Sequence, residues 1–443
     1  MIKFWLKCVF VTAFVFVMLW VVNFITDKKI FTAFDPISQA LGQFELTNQV
    51  FSRLREDPKI DERLVLVNIG ELNRREIAQE LQIISKYKPK VIGIDSYFNC
   101  EGGLKDSVNC PQLLDTLGNL LLSDAIQQAG NVVLVSKLMP KTVTAKNPDA
   151  DPYYDSMEVS DPMFRNFADH GFANLPTDAN YQEDVKYCSS LNPKYKANGK
   201  IEYAFSVKLA MKYDSSKTMK FLKRNNEEEL INFRGNAETV DVKLKSLDSL
   251  ELEQSHFRVL CYLIDINDIM TENFDPTLFK DKIVIMGFLG KRFGDPAWED
   301  KFFTPLNKSV AGRANPDMFG PVIHANSTIM ILNEDYINEL EEWQKYAIAS
   351  VLCILTVALF KVIDDTLPIW YDALSVIVQI VEILIISATV VWVFKISNVK
   401  LDLTLAMAVI ALVGPCYDLL KPLQTITEDW LTRRRERVLT LKI

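Results

Sequence analysis

The chain has 443 residues, of which 49% are hydrophobic and 24% charged, and its formal net charge is −8. So acidic a chain lacks the basic surface that displaces counterions from phosphate, which argues against nucleic acid as a partner. The apolar residues are concentrated at the two ends, so a polar domain enclosed by membrane segments is expected.

The first apolar run covers residues 9–25 (VFVTAFVFVMLWVVNFI) and carries no charge. At about 17 residues it is near the lower limit for a helix crossing a ~30 Å hydrocarbon core, and Trp5 with its non-polar flank lengthens it. Lys3 and Lys7 would also suit the start of a signal peptide. However, the run is long and bulky, and NFITDKK follows it without a small-x-small cleavage pattern, so a retained anchor over residues 1–25 is expected.

Three further runs lie at residues 346–360, 369–394 and 401–420, separated by KVIDDTLP and KISNVKLD. They lack the polar stripe of a soluble helix, which favours three closing spans over 344–420 against a buried helical core. Lys421 and the run TRRRER (Arg433, Arg434, Arg435, Arg437) follow the last span, and Lys3 and Lys7 precede the first. The positive-inside rule then puts both termini in the cytoplasm and residues 26–343 outside, with Asp27-Lys28-Lys29 in mild dissent.

Within the external segment, FDPISQALGQFELTNQVFSRLRED reads as an amphipathic helical linker. LVLVNIG, from Leu64, is apolar on both faces, as a strand covered on both sides of a parallel sheet must be. REIAQELQIISKYK places Ile77, Leu81 and Ile84 on one side of a helix, Pro89 stops it, and VIGIDSYF begins the next strand. This is a βαβ unit, and SDAIQQAG followed by NVVLVSKL repeats it. Residues 142–198 read as loop-rich decoration. Farther on, YAFSVKLAMKY reads as a helix, EELINFRG and KIVIMGFLG as strands, and FGPVIHANSTIMILN as a core-facing helix. The expected class is an α/β extracytoplasmic domain with a mostly parallel sheet, plus a four-helix transmembrane region.

The segments LVLVNIG, KPKVIGIDSYF, HGFANLPTD, INFRG, FKDKIVIMGFLGKRFGD, FTPL and FGPVIHANSTIMIL stand in the order of the type-two CHASE sensory domain. The chain resembles that family over almost the whole external segment. The HAN motif with its preceding glycine and the IVIMG strand are the most specific parts. One N-terminal and three C-terminal spans are also the family's layout. The chain departs from it in carrying ELNRREIAQ where relatives place a Trp- and Pro-containing stretch. It departs again after the last span, where residues 421–443 stand in place of a cyclase or kinase domain. The resemblance implies a bacterial inner-membrane protein with a periplasmic sensory domain. The short remainder implies no enzymatic output and a partner engaged in trans. A scaffold subunit of an envelope complex is the alternative.

Candidate sites follow from residue chemistry. The three histidines, His170, His256 and His324, lie far apart, and neither HExxH, a P-loop nor G-x-S-x-G occurs, so no metal, cofactor or catalytic group is expected. His324, in PVIHANSTIM, reads first as a packing histidine and second as a ligand contact, with Asn326 satisfying backbone groups nearby. Gly287, Gly290 and Gly294, with Lys291 and Arg292 between them, follow a strand end where a small polar or anionic ligand could sit, although a tight turn explains the glycines equally well. Asp95 would face the same rim, or serve there as a capping carboxylate. Cys100 and Cys110 bracket a Gly-rich loop and are the pair an oxidising compartment favours, with free buried thiols as the alternative; Cys188 and Cys261 remain open. Glu382 lies inside a span, where one isolated carboxylate suits helix contact better than proton transport. Gly414-Pro415 marks a kink in the last span. The four arginines of the tail, with Trp430, Leu431, Val438 and Leu439, suit either a protein partner or anionic membrane lipid. A homo-oligomer through the spans or the external domain fits the same pattern.

Overall fold

The computed structural model describes residues 2–26, 50–99, 115–140, 154–177, 186–197, 199–239, 259–292, 300–307 and 315–440. Cys100, Cys110 and Gly294 lie outside the described residues, as does most of the linker read as amphipathic. The chain divides into two compact units, Phe51–Ile337 and Met1–Val50 with Asn338–Ile443.

In the second of these, α1 (Ile2–Thr26) is a single apolar helix. In the first, β1 (Leu64–Asn68) is buried along its whole length and leads to α2 (Arg74–Lys86), which starts where sequence chemistry puts it. The Asn73 side chain accepts from the backbone of Arg75 and Glu76 while Glu76 reaches back to the Asn73 N–H, a reciprocal capping box. There follow β2 (Val91–Asp95), α3 (Thr116–Ala129) and β3 (Val132–Pro140). Next come β4 (Tyr154–Val159), β5 (Asp169–Phe172), α4 (Phe205–Tyr213) and α5 (Ser215–Lys223). The unit is completed by β6 (Asn236–Thr239), β7 (Val259–Ile264), α6 (Ile266–Met270), β8 (Ile283–Gly287) and α7 (Gly320–Asn333).

These strands form one sheet in the order β6-β7-β1-β8-β2-β3-β4, with β5 beside the first half of β3. All pairings are parallel except that of β4, an antiparallel edge. The class is therefore α/β with a mostly parallel sheet. Side-chain alternation divides the core. Val65, Val67, Ile92, Ile94, Val284 and Met286 face α2, α3 and α6 in one cluster. On the opposite face α4 and α7 cover the sheet, and Gly93 lets Phe205 and Leu209 approach, since a β-carbon there would lie 2.6 Å from the phenyl tip.

Residues 142–198 are more than decoration, because β4 and β5 extend the main sheet through them. EELINFRG is extended as a strand only at Glu229–Leu230, which pairs with Ser190–Leu191. Beyond it the backbone bonds partly to side chains, as when Asn326 Oδ1 accepts from the Arg234 N–H at 2.9 Å.

In the unit holding both ends of the chain, α1 is joined by α8 (Glu342–Thr366), α9 (Tyr371–Ser397) and α10 (Thr404–Thr440). Four helices among the described residues are long and apolar enough to cross a membrane. Cys8, Val11 and Val15 of α1 interlock with Cys353, Val357 and Phe360 of α8 and with Val409, Val413 and Cys416 of α10. Thr356 donates to Glu382 at 2.9 Å, so this carboxylate does face a neighbouring helix. Pro415 lacks the N–H that would bond the Ala411 carbonyl. Gln379 of α9 supplies the substitute, donating to the Ala411 and Ile410 carbonyls at 3.2 and 2.7 Å. Cys188 and Cys261 are both free and buried.

Candidate functional site

The chains leaving β1 and β2 cross on the α2/α3 face, whereas the chain leaving β8, which lies between them, leads to α7 on the other face. Adjacent connections that diverge in this way open a crevice at the carboxyl ends of the strands. Asp95 and Gly287 are register partners at that edge. A β-carbon on Gly287 would lie 2.5 Å from Pro321 Cγ and 3.2 Å from Asp95 Cβ, so glycine is what lets α7 start so close to the strand.

Asp95 is half-buried, and burial pushes its carboxyl up to about 7. No hydrogen bond to it occurs among the described residues. Its Oδ2 lies 3.9 Å from where a β-carbon on Gly320 would stand, facing the first turn of α7. Phe302 approaches the same glycine position at 3.8 Å. Phe288 and Phe319 meet edge to face at 6.0 Å, and Lys301 Nζ sits 4.7 Å over the Phe319 ring. Tyr97 is 36% exposed on the loop after β2. The rim thus combines one unbonded acid, several aromatic rings and a basic group, a set suited to a small polar ligand.

The glycine loop after β8 is organised by a residue that sequence reading missed. Asn68, fully buried at the end of β1, donates to Asp265 Oδ1 at 2.8 Å and to the Gly290 carbonyl at 3.0 Å. Its Oδ1 accepts from the N–H groups of Leu289 at 2.9 Å and Gly70 at 3.0 Å. Four bonds from one amide clamp three strand ends together. Gly290, at φ +100, takes a backbone conformation other residues avoid. Lys291 is exposed and pairs with Glu71 at 3.0 Å, and Arg292 is exposed beside it.

His324 is placed one turn below the rim. It is 3% exposed, its ring meets Phe205 edge to face at 5.3 Å, and its Nε2 has no hydrogen-bond partner among the described residues. Burial lowers its pKa to about 4, so it is neutral at neutral pH. Asn326 donates to the carbonyls of Gly235 and Val322, both at 2.9 Å, which ties α7 to the INFRG segment. Arg234 of that segment pairs with Asp335. The FTPL segment is held by Asp317, whose carboxylate accepts from the Thr304 N–H at 2.9 Å and hydroxyl at 2.5 Å. The Asp317 carboxyl is pushed up to about 6, by burial against those bonds. The motifs HAN, INFRG and FTPL are therefore buried polar braces around the rim. Among the described residues no group of His, Cys, Asp or Glu can hold a metal ion.

The chain thus combines a mostly parallel α/β unit with four helices that are long and apolar enough to cross a membrane. The chain belongs to the CHASE2 domain family, whose model matches residues 30–361. That family is extracytoplasmic and sensory. No curated protein and no solved structure matches the chain.

Proposed function

We propose that this chain is a sensory subunit of a bacterial inner membrane, with an anchor over residues 1–25, a periplasmic domain over 26–343, three spans over 344–420 and a cytoplasmic tail over 421–443. The domain reads a small polar ligand at the rim formed by Asp95, Gly287, Gly290, Lys291 and Arg292, and the spans pass the response to a protein partner in trans. Membership of the sensory family carries this reading, and the unbonded Asp95 at the crevice supports the place of the ligand. The output path is supported by α10, which continues without interruption from Thr404 to Thr440, about 55 Å at 1.5 Å per residue. The basic cluster Arg433, Arg434, Arg435 and Arg437 lies on its far part. In this reading the chain has no catalytic group of its own.

A second reading, a scaffold subunit, draws support from Leu117, Leu120 and Leu121, which are 55%, 57% and 37% exposed at i, i+3, i+4 spacing on α3. Deleting the residues after Glu428 separates the contributions. The shortened protein is expected to insert normally and to lose its co-purifying partner. Retained partner binding would move the contact to the spans or to the periplasmic domain.

A further inference from the structure

Glu80, in the middle of α2, has no exposed surface, and neither of its carboxylate oxygens has a hydrogen-bond partner among the described residues. An unpaired buried charge is so costly that such a group holds a proton or forces its surroundings apart. The residues flanking Glu80 on α2, Ile77, Leu81, Ile83 and Ile84, belong to the apolar core cluster shared with β1, β2, β8, α3 and α6. The charged groups whose fields reach Glu80 are Asp265, from the start of α6, and Glu76, one turn earlier on α2. Both are acidic, so both oppose its ionisation.

Asp265 is also the acceptor of the Asn68 amide that holds Leu289 and Gly290 in place. Asp265 therefore links Glu80 to the clamp, since its charge reaches Glu80 while its carboxylate accepts from Asn68. We propose that Glu80 is a proton-operated latch: as the neutral acid it keeps the seam between α2 and α6 closed, and its ionisation opens that seam and loosens the Asn68 clamp, so that the rim responds to periplasmic pH. One proton passes from the Glu80 carboxyl to solvent for each opening. Burial first, then Asp265 and Glu76, push this carboxyl from an ordinary 4.5 up to about 8, which sets the response between those two values. The closed form retains a proton that the open form gives up above pH 4.5, so closure is strongest in acid and weakens as pH rises towards 8.

The regulatory meaning of the latch rests on the rim being the sensing edge, but the latch is tested without any ligand or partner. Hydrogen exchange of the full-length protein in nanodiscs, corrected for intrinsic rates, is read at the amides of Gly70 and Leu289 from pH 5 to 8.5. In the wild type, protection is expected to fall by up to ~10-fold per pH unit up to about pH 8. In Glu80→Gln it is expected to be independent of pH. Asp265→Asn keeps an acceptor for Asn68 while removing one opposing charge, and is expected to move the end of the transition to lower pH. Equal pH profiles for wild type and Glu80→Gln, or an unmoved transition in Asp265→Asn, would overturn the latch and leave the rim proposal standing.

Discussion

Replacing Asn68 by Ala removes four hydrogen bonds from a site with no exposed surface. The Leu289 and Gly70 N–H groups and the Gly290 carbonyl lose their partner. A net hydrogen bond contributes roughly 0.5–1.5 kcal/mol, and a buried group left unpaired costs roughly 1–3 kcal/mol. Because the loop at Lys291 and Arg292 is exposed and can relax towards water, part of this penalty is recovered, and a loss of about 3–4 kcal/mol is expected. In a unit of this size that corresponds to a fall in Tm of roughly 6–12 °C, at about 2–3 °C per kcal/mol. Thermal unfolding of the purified protein in nanodiscs measures it. Asn68→Asp sharpens the comparison, since it keeps the acceptor for both N–H groups but sets a carboxylate where an amide lay 2.8 Å from Asp265. That variant is expected to be nearly normal in acid and markedly weakened at pH 8. A loss below ~1 kcal/mol in Asn68→Ala would show that the clamp does not hold the strand ends together.

Gly287→Ala would drive a β-carbon to 2.5 Å from Pro321 and is expected to destabilise by roughly 1–3 kcal/mol, read by urea unfolding, and to displace the start of α7. Two buried groups give opposite pH signatures in stability. Glu80, raised from 4.5 to about 8, removes up to about 5 kcal/mol as pH rises through that interval, so the difference between Glu80→Gln and wild type should grow from pH 4.5 and level off near 8. His324, lowered from 6.5 to about 4, removes up to about 3 kcal/mol as pH falls through its interval, and His324→Phe should abolish that acid loss. Difference curves without these windows would contradict the burial argument.

The central strands were legible because β1, β2 and β8 are covered on both faces and so read as unbroken apolar runs. The outer strands were not. β4 (YDSMEV), an edge, is polar where it meets water, and β7 (VLCYLI), one place in from the other edge, follows a long polar stretch that hides it. Ile77, Leu81 and Ile84 located the buried stripe of α2, but α2 lies among α3, α6 and the sheet, so its covered surface is wider than that stripe and includes Glu80. Asp95 and Gly287 could be placed side by side at strand ends from the sequence, since each closes an apolar run of the parallel sheet. The organiser of the rim, Asn68, lies 221 positions from Leu289, and its partnership depends on a strand order that local patterns do not encode. His324 sits on the expected helix but faces Phe205 below the rim, because the helical phase turns it towards α4.

The account depends most on the large unit lying outside the cytoplasm. Gly199 offers a place to test this, as it is exposed in the turn between Lys194–Ala197 and Lys200–Tyr203 and a β-carbon there would meet nothing within 4 Å. A reporter enzyme active only in the periplasm is inserted at Gly199 in one fusion and appended after Ile443 in another. The account predicts activity from the first and silence from the second. Silence at Gly199 with activity at the C-terminus would contradict it.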